Sequence, residues 1–439
     1  MGKVKIYYFS PTGGTWRVAQ HLGDRLGELL GAEVEYHSYT LPRERETLPQ
    51  VGAGDVVVWA TPVYAGRIPN KTLDYVRRAI HADGNPAIAL VTFGNRAYDN
   101  ALAELVGLME EGGMKPVAAV AMVTRHAFSD TLGAGRPNEE DLAALDRFAA
   151  QVAEKLLTPN SELLAVSVPG EAHPEKYYTP LNTNNAPAGF LKAKPLCNSV
   201  LCTRCGGCLR VCPMGSIGTD EGMPTFDGIC IKCQACRRQC PTGAIAFTDP
   251  EYLSHVAMIE RTFAAPKRAE FFLAKTVRFR PIETTEIPLL DDFLYEAIFI
   301  PEGVPAPPRS IIDNEELQVY VKDFGEGPDD LCMVAECDGR VIGAVWTRIM
   351  DDYGHIADDT PSLSMSLYQE YRNKGIGTKL LERMLELLRR DGYKRVSLSV
   401  QKENYAVRMY CRMGFVTEKE TEEEYIMVCN LHKQNKRWR

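Results

Sequence analysis

The sequence predicts a chain of several domains of mixed α/β and α+β class, beginning with a doubly wound parallel sheet. The chain has 439 residues, more than one hydrophobic core usually organises, so two to four domains are expected. Short apolar runs alternate with amphipathic stretches up to about residue 160, and a second mixed pattern runs from Thr276 to the end. Between these regions, eight of the 13 cysteines lie between Cys202 and Cys240.

Composition and charge limit the functions that this chain can have. Hydrophobic residues make up 45% and charged residues 25%, as in ordinary folded proteins. The formal net charge of −8 argues against a nucleic-acid partner, which usually requires a basic face. No apolar run reaches the roughly 18 residues that a membrane span needs. The first residues lead into a strand-like run rather than a secretory signal, so we expect a cytoplasmic protein.

The first 160 residues alternate two kinds of segment. Short apolar runs of the kind found in buried parallel strands occupy residues 4–9, 55–60, 88–93 and 117–123. Amphipathic stretches predict helices at residues 15–30, 71–81, 97–111 and 139–157. This alternation is typical of a doubly wound α/β domain. The Pro- and Asn-rich stretch that follows has no period and is interpreted as a linker or as a loop over a site, which Tyr177 and Tyr178 would help to cover.

The cysteine window contains one motif twice, with the second copy 28 positions after the first. Each copy has the spacing C-x2-C-x2-C-x3-C-P, and the cysteines are Cys202, Cys205, Cys208, Cys212, Cys230, Cys233, Cys236 and Cys240. Two-residue gaps let three thiolates converge on one iron–sulfur cubane, and the proline turns the chain toward a second cubane. Structural zinc is the alternative, but zinc sites usually show paired cysteines rather than two complete tetrads. The spacing therefore indicates two [4Fe–4S] clusters.

This segment resembles the two-cluster bacterial ferredoxins. The resemblance implies that three cysteines of one copy share a cluster with the last cysteine of the other copy. Cluster one would take Cys202, Cys205, Cys208 and Cys240, and cluster two would take Cys212, Cys230, Cys233 and Cys236. Cys197 has no place in the motif and is expected to be a bystander.

A loop rich in hydroxyl groups and glycine follows the first predicted strand and leads into a helix. Its candidate ligands are Ser10, Thr12, Gly13, Gly14 and Thr15. With the free amides of a helix N-terminus, these residues would form a phosphate cradle, and the lack of a lysine excludes a Walker-type triphosphate site. An ordinary hydroxyl N-cap is the alternative. The neutral loop suits one monophosphate, as in FMN.

Two further loops follow strands at the edge where open α/β sheets bind ligands. The candidates are Tyr64 in the first of these loops and Gly94, Asn95 and Tyr98 in the second, where Tyr64 and Tyr98 would stack on a flavin. Together with the 10–15 loop, they resemble the flavodoxin family over about residues 1–160. A flavodoxin domain fused ahead of a ferredoxin module is a known family among anaerobes, and this resemblance implies FMN.

In the carboxy-terminal region, a strand leads into Arg372-x-x-Gly375-x-Gly377 and a helix. The glycines let the backbone approach a pyrophosphate, which the helix amides would stabilise. The Rossmann fingerprint is excluded, because its third glycine and βαβ context are missing. Asn404 and Tyr410 follow after one more strand. Over about residues 276–432 the sequence resembles the GNAT acyltransferase family, which implies acetyl-CoA as the cosubstrate.

The resemblance assigns roles to individual positions of the GNAT-like region. Arg372, Gly375, Gly377 and Thr378 would surround the pyrophosphate, the strand ending at Leu367 would pair with pantetheine, and Asn404 would contact CoA. Tyr410 would protonate the departing thiolate, for which a phenol of pKa near 10 is suited; a packed tyrosine is the alternative.

The general base remains open between several residues. Asp351, Asp352, His355, Asp358 and Asp359 lie before the key strand and are candidates, although an acidic loop is often only solvated. Acids at this place would also attract a cationic amine.

The leading interpretation is an iron–sulfur flavoprotein with two [4Fe–4S] clusters and FMN, fused to an acetyl-CoA-dependent N-acetyltransferase. The expected domains are a flavodoxin-like domain at 1–166, a linker or covering loop at 167–195, a two-cluster ferredoxin domain at 196–252, a linker at 253–275 and a GNAT domain at 276–439. The expected partners are a redox protein or small electron acceptor, and a small-molecule or peptide amine. Two alternatives remain: an acetyltransferase gated by redox modules, or a pure electron carrier.

Overall fold

The computed structural model describes residues 2–301, 303–352 and 354–432, so residues 433–439 of the expected GNAT domain lie outside the described residues. The chain divides into two compact units. The first unit comprises Met1–Thr158 and Ala165–Ala274, and the second comprises Pro159–Leu164 and Lys275–Arg439. The chain therefore crosses from the first unit to the second, returns, and crosses again.

Parallel strands form the centre of the first unit. They are β1 (Val4–Tyr8), β2 (Val34–Ser38), β3 (Val56–Pro62), β4 (Pro86–Phe93) and β5 (Lys115–Val123). Their order in the sheet is β2-β1-β3-β4-β5, and each neighbouring pair is parallel. The helices between and after them are α1 (Gly14–Leu30), α2 (Asn70–Ala79), α3 (Ala101–Glu111) and α4 (Glu139–Leu157). The helices and apolar strands predicted for this region are present, and β2 is an additional strand.

The helices cover both faces of this sheet. Leu22 of α1 and Phe148 of α4 pack on one face with Ile6, while Val76 of α2 and Leu105 of α3 pack on the other. Burial on both faces explains the almost continuous apolar runs of β3, β4 and β5. Because the strands are parallel, the loops after their carboxyl ends meet at one edge of the sheet.

The strand β6 (Ser161–Leu163), which follows α4, belongs to the second unit. The cysteine-rich part of the first unit then contains small elements: β7 (Leu196–Cys197), α5 (Gly207–Arg210), β8 (Gly218–Asp220), β9 (Met223–Thr225), α6 (Ala235–Gln239) and β10 (Ile245–Ala246). Strand β7 pairs with β10, and β8 pairs with β9. Helix α6 begins 28 positions after α5, as the repeat predicts.

The stretch 253–275 was expected to be a linker, but it carries most of α7 (Pro250–Thr262) and all of β11 (Glu270–Leu273). Strand β11 pairs antiparallel with β5 and extends the parallel sheet. Phe271 of β11 packs on Phe148 of α4, with 5.1 Å between the ring centroids. These contacts make the stretch part of the first unit.

The second unit is built on a mixed sheet in the order β17-β18-β16-β15-β14-β13-β12-β6. Its remaining strands are β12 (Thr276–Pro281), β13 (Leu331–Cys337), β14 (Arg340–Arg348), β15 (Ser362–Leu367), β16 (Arg395–Gln401), β17 (Phe415–Glu420) and β18 (Glu424–Asn430). Its helices are α8 (Leu289–Ala297), α9 (Glu315–Gln318), α10 (Ile376–Arg390) and α11 (Ala406–Arg412). Strand β6, from the expected 1–166 domain, pairs with β12 at the end of this sheet.

Short 3₁₀ helices lie at Pro42–Arg45, Thr284–Glu286, Arg309–Asp313 and Gln369–Tyr371. Across the part of the chain that the structure describes, no helix has both the length and the apolar character of a membrane span.

Candidate functional site

The motif cysteines form two sets in the folded chain. The Cys233 thiol interacts electrostatically with those of Cys212, Cys230 and Cys236. In the other set, Cys208 interacts with Cys202 and Cys205, and Cys205 interacts with Cys240. Each set contains three cysteines of one motif copy and the last cysteine of the other, and Cys236 also interacts with Cys208 across the two sets.

The backbone around both tetrads follows the same path. Arg204 and Lys232 have φ values of 58° in the left-handed region, and Gly206 and Gln234, two residues later, both have 67°. The amides of Arg204 and Lys232 each donate to the sulfur of the cysteine two positions earlier, at 3.4 Å. Amide hydrogen bonds of this kind favour the thiolate form, which iron requires. The geometry of the residues present therefore fits two cubane clusters.

The two tetrads differ in exposure. Cys205 is exposed, whereas Cys233 and Cys236 are buried, and burial raises the pKa of Cys236 to about 12. Among the described residues, no three His, Cys, Asp or Glu side chains are arranged to hold a single metal ion. In a cubane each thiolate binds a different iron, so its four sulfurs lie farther apart than the ligands of one ion. Cys197 is not remote from this centre, because its thiol is in hydrogen-bonding contact with that of Cys202.

A cavity of about 710 Å³ lies in the first unit at the carboxyl ends of the parallel strands. Four predicted phosphate-loop residues line it, namely Ser10, Thr12, Gly14 and Thr15. Cys230 and Lys232, which belong to the second cysteine tetrad and its loop, also line it. One cavity therefore connects the 10–15 loop with the cysteine region.

Hydrogen bonds hold the 10–15 loop in shape. The Ser10 hydroxyl accepts from the amide of Trp16 at 2.9 Å, and the hydroxyls of Thr15 and Thr92 lie 2.7 Å apart. Gly13 has φ 84°, so the turn into α1 needs a glycine there. The amides of Gly14 and Thr15 begin α1 and have no intrahelical acceptor, so they are available to an anion in the cavity, whereas that of Trp16 is used by Ser10. The loop therefore fits a monophosphate.

The two loops with predicted flavin contacts divide into lining and supporting residues. Tyr64 and Gly94 line the cavity. Burial raises the pKa of Tyr64 well above its usual value, with smaller contributions from Cys233 and Cys230. Cavity space next to an aromatic ring and a glycine backbone fits a flat ring system such as a flavin.

Asn95 and Tyr98 were expected beside the flavin but support the fold instead. The Asn95 amide donates to the carbonyls of Phe263 at 2.6 Å and Ala265 at 3.0 Å. The Tyr98 hydroxyl donates to Glu270 at 2.7 Å, and its ring packs on Phe93. Both side chains therefore hold the 263–270 segment against the sheet by hydrogen bonds. The sequence did not show that β11, which this segment leads into, belongs to the sheet.

Several lining residues were missed at the sequence level. His126 and Phe128 follow β5, the fourth apolar strand of the sequence, and His255 lies on α7. The signal for the first two was available, because the loop after β5 opens at the same edge as the other loops. Tyr177 and Tyr178, which the sequence suggested as covering residues, also line the cavity, and the Tyr178 amide donates to the carbonyl of Ala65 at 2.8 Å.

Gly94→Ala is expected to destabilise the first unit by about 1–3 kcal/mol, because a Cβ there would lie 2.7 Å from Cα of His126. Gly189→Ala is the matched control, since a Cβ at that position meets no atom within 4 Å. The midpoint of urea unfolding for the first unit measures the difference. Equal midpoints for both variants would contradict the steric argument.

In the second unit, β15 and β16 diverge from each other. Strand β15 pairs with β14 along its whole length but with β16 only at Ser362 and Ser397. Helix α10 begins beyond β15 after Gly375, which has φ 79° and an ideal Cβ with no atom within 4 Å. A Cβ on Gly377 would lie 3.3 Å from Met365 and 3.4 Å from Leu367. We call the opening between β15 and β16 the fork. Together with the exposed N-terminus of α10, it forms a site for an extended, phosphate-bearing ligand.

Arg372, in the loop between β15 and α10, makes hydrogen bonds within the protein. Its guanidinium donates to the carbonyl of Leu367 at 2.9 Å and to the Glu296 carboxylate at 2.7 Å. The side chain therefore ties the end of β15 to α8. Thr378 lies in the first turn of α10 and is half-buried.

Asn404 and Tyr410 are positioned by α11. The Asn404 side chain accepts from the Ala406 amide at 2.9 Å at the start of this helix. Tyr410 is buried against Phe415, and burial raises the pKa of its phenol above the usual value. Met409 of the same helix lies 3.9 Å from the position of a Cβ on Gly377, so α11 borders the start of α10.

Comparison with known protein families gives one match in the cysteine-rich region and one in the second unit. Residues 297–415 match the acetyltransferase (GNAT) family, and residues 201–245 match the 4Fe-4S dicluster domain. The chain carries a GNAT domain and a 4Fe-4S dicluster domain. The dicluster match contains all eight motif cysteines, and the GNAT match contains the fork, α10 and α11.

The similar proteins resemble the GNAT domain. A probable N-acetyltransferase camello from Xenopus tropicalis is 36% identical over 84 residues, which are 19% of this chain and 36% of that protein. This chain therefore spans about a third of that relative's length. Among solved structures, PaiA N-acetyltransferase from Thermoplasma acidophilum in complex with coenzyme A has 20% identity and a TM-score of 0.29, with 35% of this chain and 98% of that chain covered. The ribosomal-protein-S18-alanine N-acetyltransferase from Escherichia coli has 18% identity and a TM-score of 0.27, with 37% and 99% covered.

The base candidates of the GNAT domain differ in their distance from the fork. Asp352 accepts from the Ser362 hydroxyl at 2.6 Å, at the place where β15 and β16 separate. Asp358 is fully exposed, and Asp359 lies 3.6 Å from Arg395. His355 is tied through Nδ1 to the carbonyl of Met350. Asp352 is therefore the candidate with a direct contact to the fork.

Proposed function

We propose that the chain is an iron–sulfur flavoprotein that exchanges electrons between two [4Fe–4S] clusters and FMN, and that its GNAT domain transfers acetyl groups from acetyl-CoA to an amine. One observation carries the redox part: a single cavity is lined both by the 10–15 loop and by Cys230. The strand order β2-β1-β3-β4-β5 supports a flavodoxin-like domain, because flavodoxin-like sheets have this order and bind FMN at the same edge.

The cysteine tetrads would hold the clusters in unequal surroundings. The tetrad of Cys212, Cys230, Cys233 and Cys236 is the more buried one and borders the cavity. The tetrad that contains Cys205 reaches the surface, so an external redox protein or small electron acceptor would approach there. The amides of Arg204 and Lys232 would stabilise thiolate charge in each tetrad.

In the flavin site, the amides at the start of α1 and the hydroxyls of Ser10 and Thr12 would bind the phosphate. Tyr64 would flank the ring, and Gly94 would let the backbone approach the ring edge. Bound FMN exchanges one or two electrons, which suits a protein that joins single-electron clusters to a two-electron partner. Tyr177 and Tyr178 would limit the access of water from the covering loop.

Anaerobically prepared protein is expected to contain about eight iron, eight labile sulfide and one FMN per chain. Thr12→Asp should lose FMN and keep its iron, because a carboxylate in the 10–15 loop repels the phosphate. Thr417→Asp, at an exposed position of β17, is the control and should keep both. Metal, sulfide and flavin analysis decides the outcome. Wild-type protein without flavin would contradict the FMN assignment, and zinc in place of iron would contradict the clusters.

For acetyl transfer, pantetheine would lie along the free edge of β15 and the pyrophosphate at the start of α10. The amine nitrogen would attack the thioester carbonyl, and the Tyr410 hydroxyl would protonate the departing CoA thiolate. This phenol is protonated at neutral pH, as a tyrosine of ordinary pKa near 10 is, and burial raises its pKa further. Asp352 would remove a proton from the amine. The acidic 351–359 loop favours a cationic amine, small molecule or peptide, as the acceptor.

A further inference from the structure

The titratable side chains that line the cavity of the first unit are mostly basic. Eight basic side chains line it, among them Arg96, His126, Lys232 and His255, and no aspartate or glutamate of the described residues does. Six of the eight are lysine or arginine, and the whole chain has a formal net charge of −8, so this concentration of cations does not follow from its composition. A phosphate at the 10–15 loop would be bound by neutral groups. Arg96 and Arg125 form ion pairs with Asp99 and Asp130 outside the lining, and their remaining N–H groups, with the lining lysines, can serve a further anion.

Arg96 is fixed in a geometry that suits a carboxylate. Its guanidinium carbon lies 4.0 Å from the centroid of the Tyr178 ring, and one of its nitrogens contacts Asp99. Asp99 does not line the cavity, whereas Arg96 does. A guanidinium has five N–H groups in one plane, so contacts to one side chain leave donors for a second acceptor.

One of the two histidines, His126, adds a donor of defined direction, whereas the Nδ1 proton of His255 is used by a backbone carbonyl. Nδ1 of His126 accepts from the Phe128 amide at 3.1 Å, so the neutral ring carries its proton on Nε2. Nδ1 of His255 donates to the carbonyl of Leu181 at 2.7 Å. Burial, with smaller effects from His255, Arg96 and Arg238, lowers the pKa of His126 to about 3, so the ring stays neutral at physiological pH.

The walls between these polar groups are aromatic. The ring of Phe128 lies 6.3 Å from that of Phe190, and the ring of Phe190 lies 5.1 Å from that of His255. All three rings line the cavity together with Tyr178. Flat apolar walls next to fixed cationic and N–H donors suit a ligand with a planar body and a negative end.

We propose that the Arg96–His126–His255 part of the cavity binds a small organic carboxylate with a planar apolar body. The carboxylate accepts hydrogen bonds from the Arg96 guanidinium and from Nε2 of His126. Phe128, Phe190 and Tyr178 surround the planar body. This inference rests on the proposed function, because the carboxylate shares its cavity with FMN.

The test is calorimetric titration of FMN-loaded holoprotein with benzoate and with benzamide, which has the same shape without the charge. Benzoate is expected to bind at least about tenfold more tightly, the factor that one charge-assisted hydrogen bond contributes. Raising the salt concentration should weaken benzoate alone. Equal affinities for the two compounds, or release of FMN by benzoate, would overturn the carboxylate site. Both results are independent of whether a variant folds.

Arg96→Gln should reduce benzoate affinity about tenfold and leave benzamide affinity unchanged. Arg147→Gln, which removes the same charge from an exposed position on α4, should bind benzoate as the wild type does. FMN content is measured on the same samples. Protein without FMN would contradict the proposed function itself, whereas FMN-loaded Arg96→Gln with wild-type benzoate affinity would contradict only the carboxylate site.

Discussion

Cys233→Ser is expected to halve the iron and labile sulfide of the anaerobic protein, to about four of each per chain. Cys233 lies in the more buried tetrad, whose member Cys230 lines the cavity that also contains the 10–15 loop. The variant should therefore keep FMN but reduce it much more slowly when electrons are supplied by a reduced redox protein. Iron and sulfide analysis with anaerobic stopped-flow absorbance measures both effects.

Cys205→Ser provides the comparison, because it removes one ligand of the exposed tetrad. It should lose the same amount of iron while retaining the cluster next to the cavity. Cys411→Ser, at an exposed cysteine on α11, should keep all the iron. A full iron content in Cys233→Ser would refute the ligand assignment.

Tyr410→Phe is expected to lower kcat for acetyl transfer by about 100-fold or more, because the thiolate then leaves without an acid. CoA affinity should stay within about twofold, since the ring still packs against Phe415. The raised pKa of Tyr410 predicts that the wild-type rate does not fall from deprotonation of this phenol up to its ordinary pKa near 10. Steady-state rates with a polyamine or peptide amine and calorimetry with CoA are the measurements.

Tyr405→Phe is the matched control for this acid. Tyr405 lies at the start of the same helix and is 59% exposed, so its hydroxyl is not in the buried site. Its loss should change kcat by less than about twofold. If Tyr410→Phe and Tyr405→Phe had the same rate, Tyr410 would be a packing residue.

The strands that are buried on both faces could be predicted from the sequence. Strands β3, β4 and β5 are covered on both faces, so their apolar runs are visible in the sequence. Strand β2 was missed because it lies at the edge of the sheet, where Glu35 and His37 interrupt the apolar pattern. Strand β11 also lies at an edge and follows the basic pair Lys267 and Arg268. Strand β6 has only three residues, and no periodicity can identify so short an element.

The residues of the candidate sites also differ in whether the sequence could identify them. Cys230 and Cys233 were identifiable because cluster ligands follow a fixed spacing along the chain. His255 was not, because it lies 129 positions after His126 and only the packing of α7 beside the loop after β5 brings both to one cavity. Asn95 was wrongly expected to contact a ligand, because it follows a strand at the ligand-binding edge. Its side-chain amide donates instead to the carbonyls of Phe263 and Ala265.

The spacing of residues along one short segment was enough to predict the eight motif cysteines as a group, the 10–15 loop and the glycines at the start of α10. The folded chain was needed to show that β6 joins the sheet of the second unit, that β11, from the expected linker, joins the sheet of the first unit, that Arg372 and Tyr98 support the fold, and that basic side chains without carboxylates line the cavity. The reason is that hydrogen bonds between strands and the convergence of charges depend on distances in space, which residues far apart in the chain acquire only when it folds.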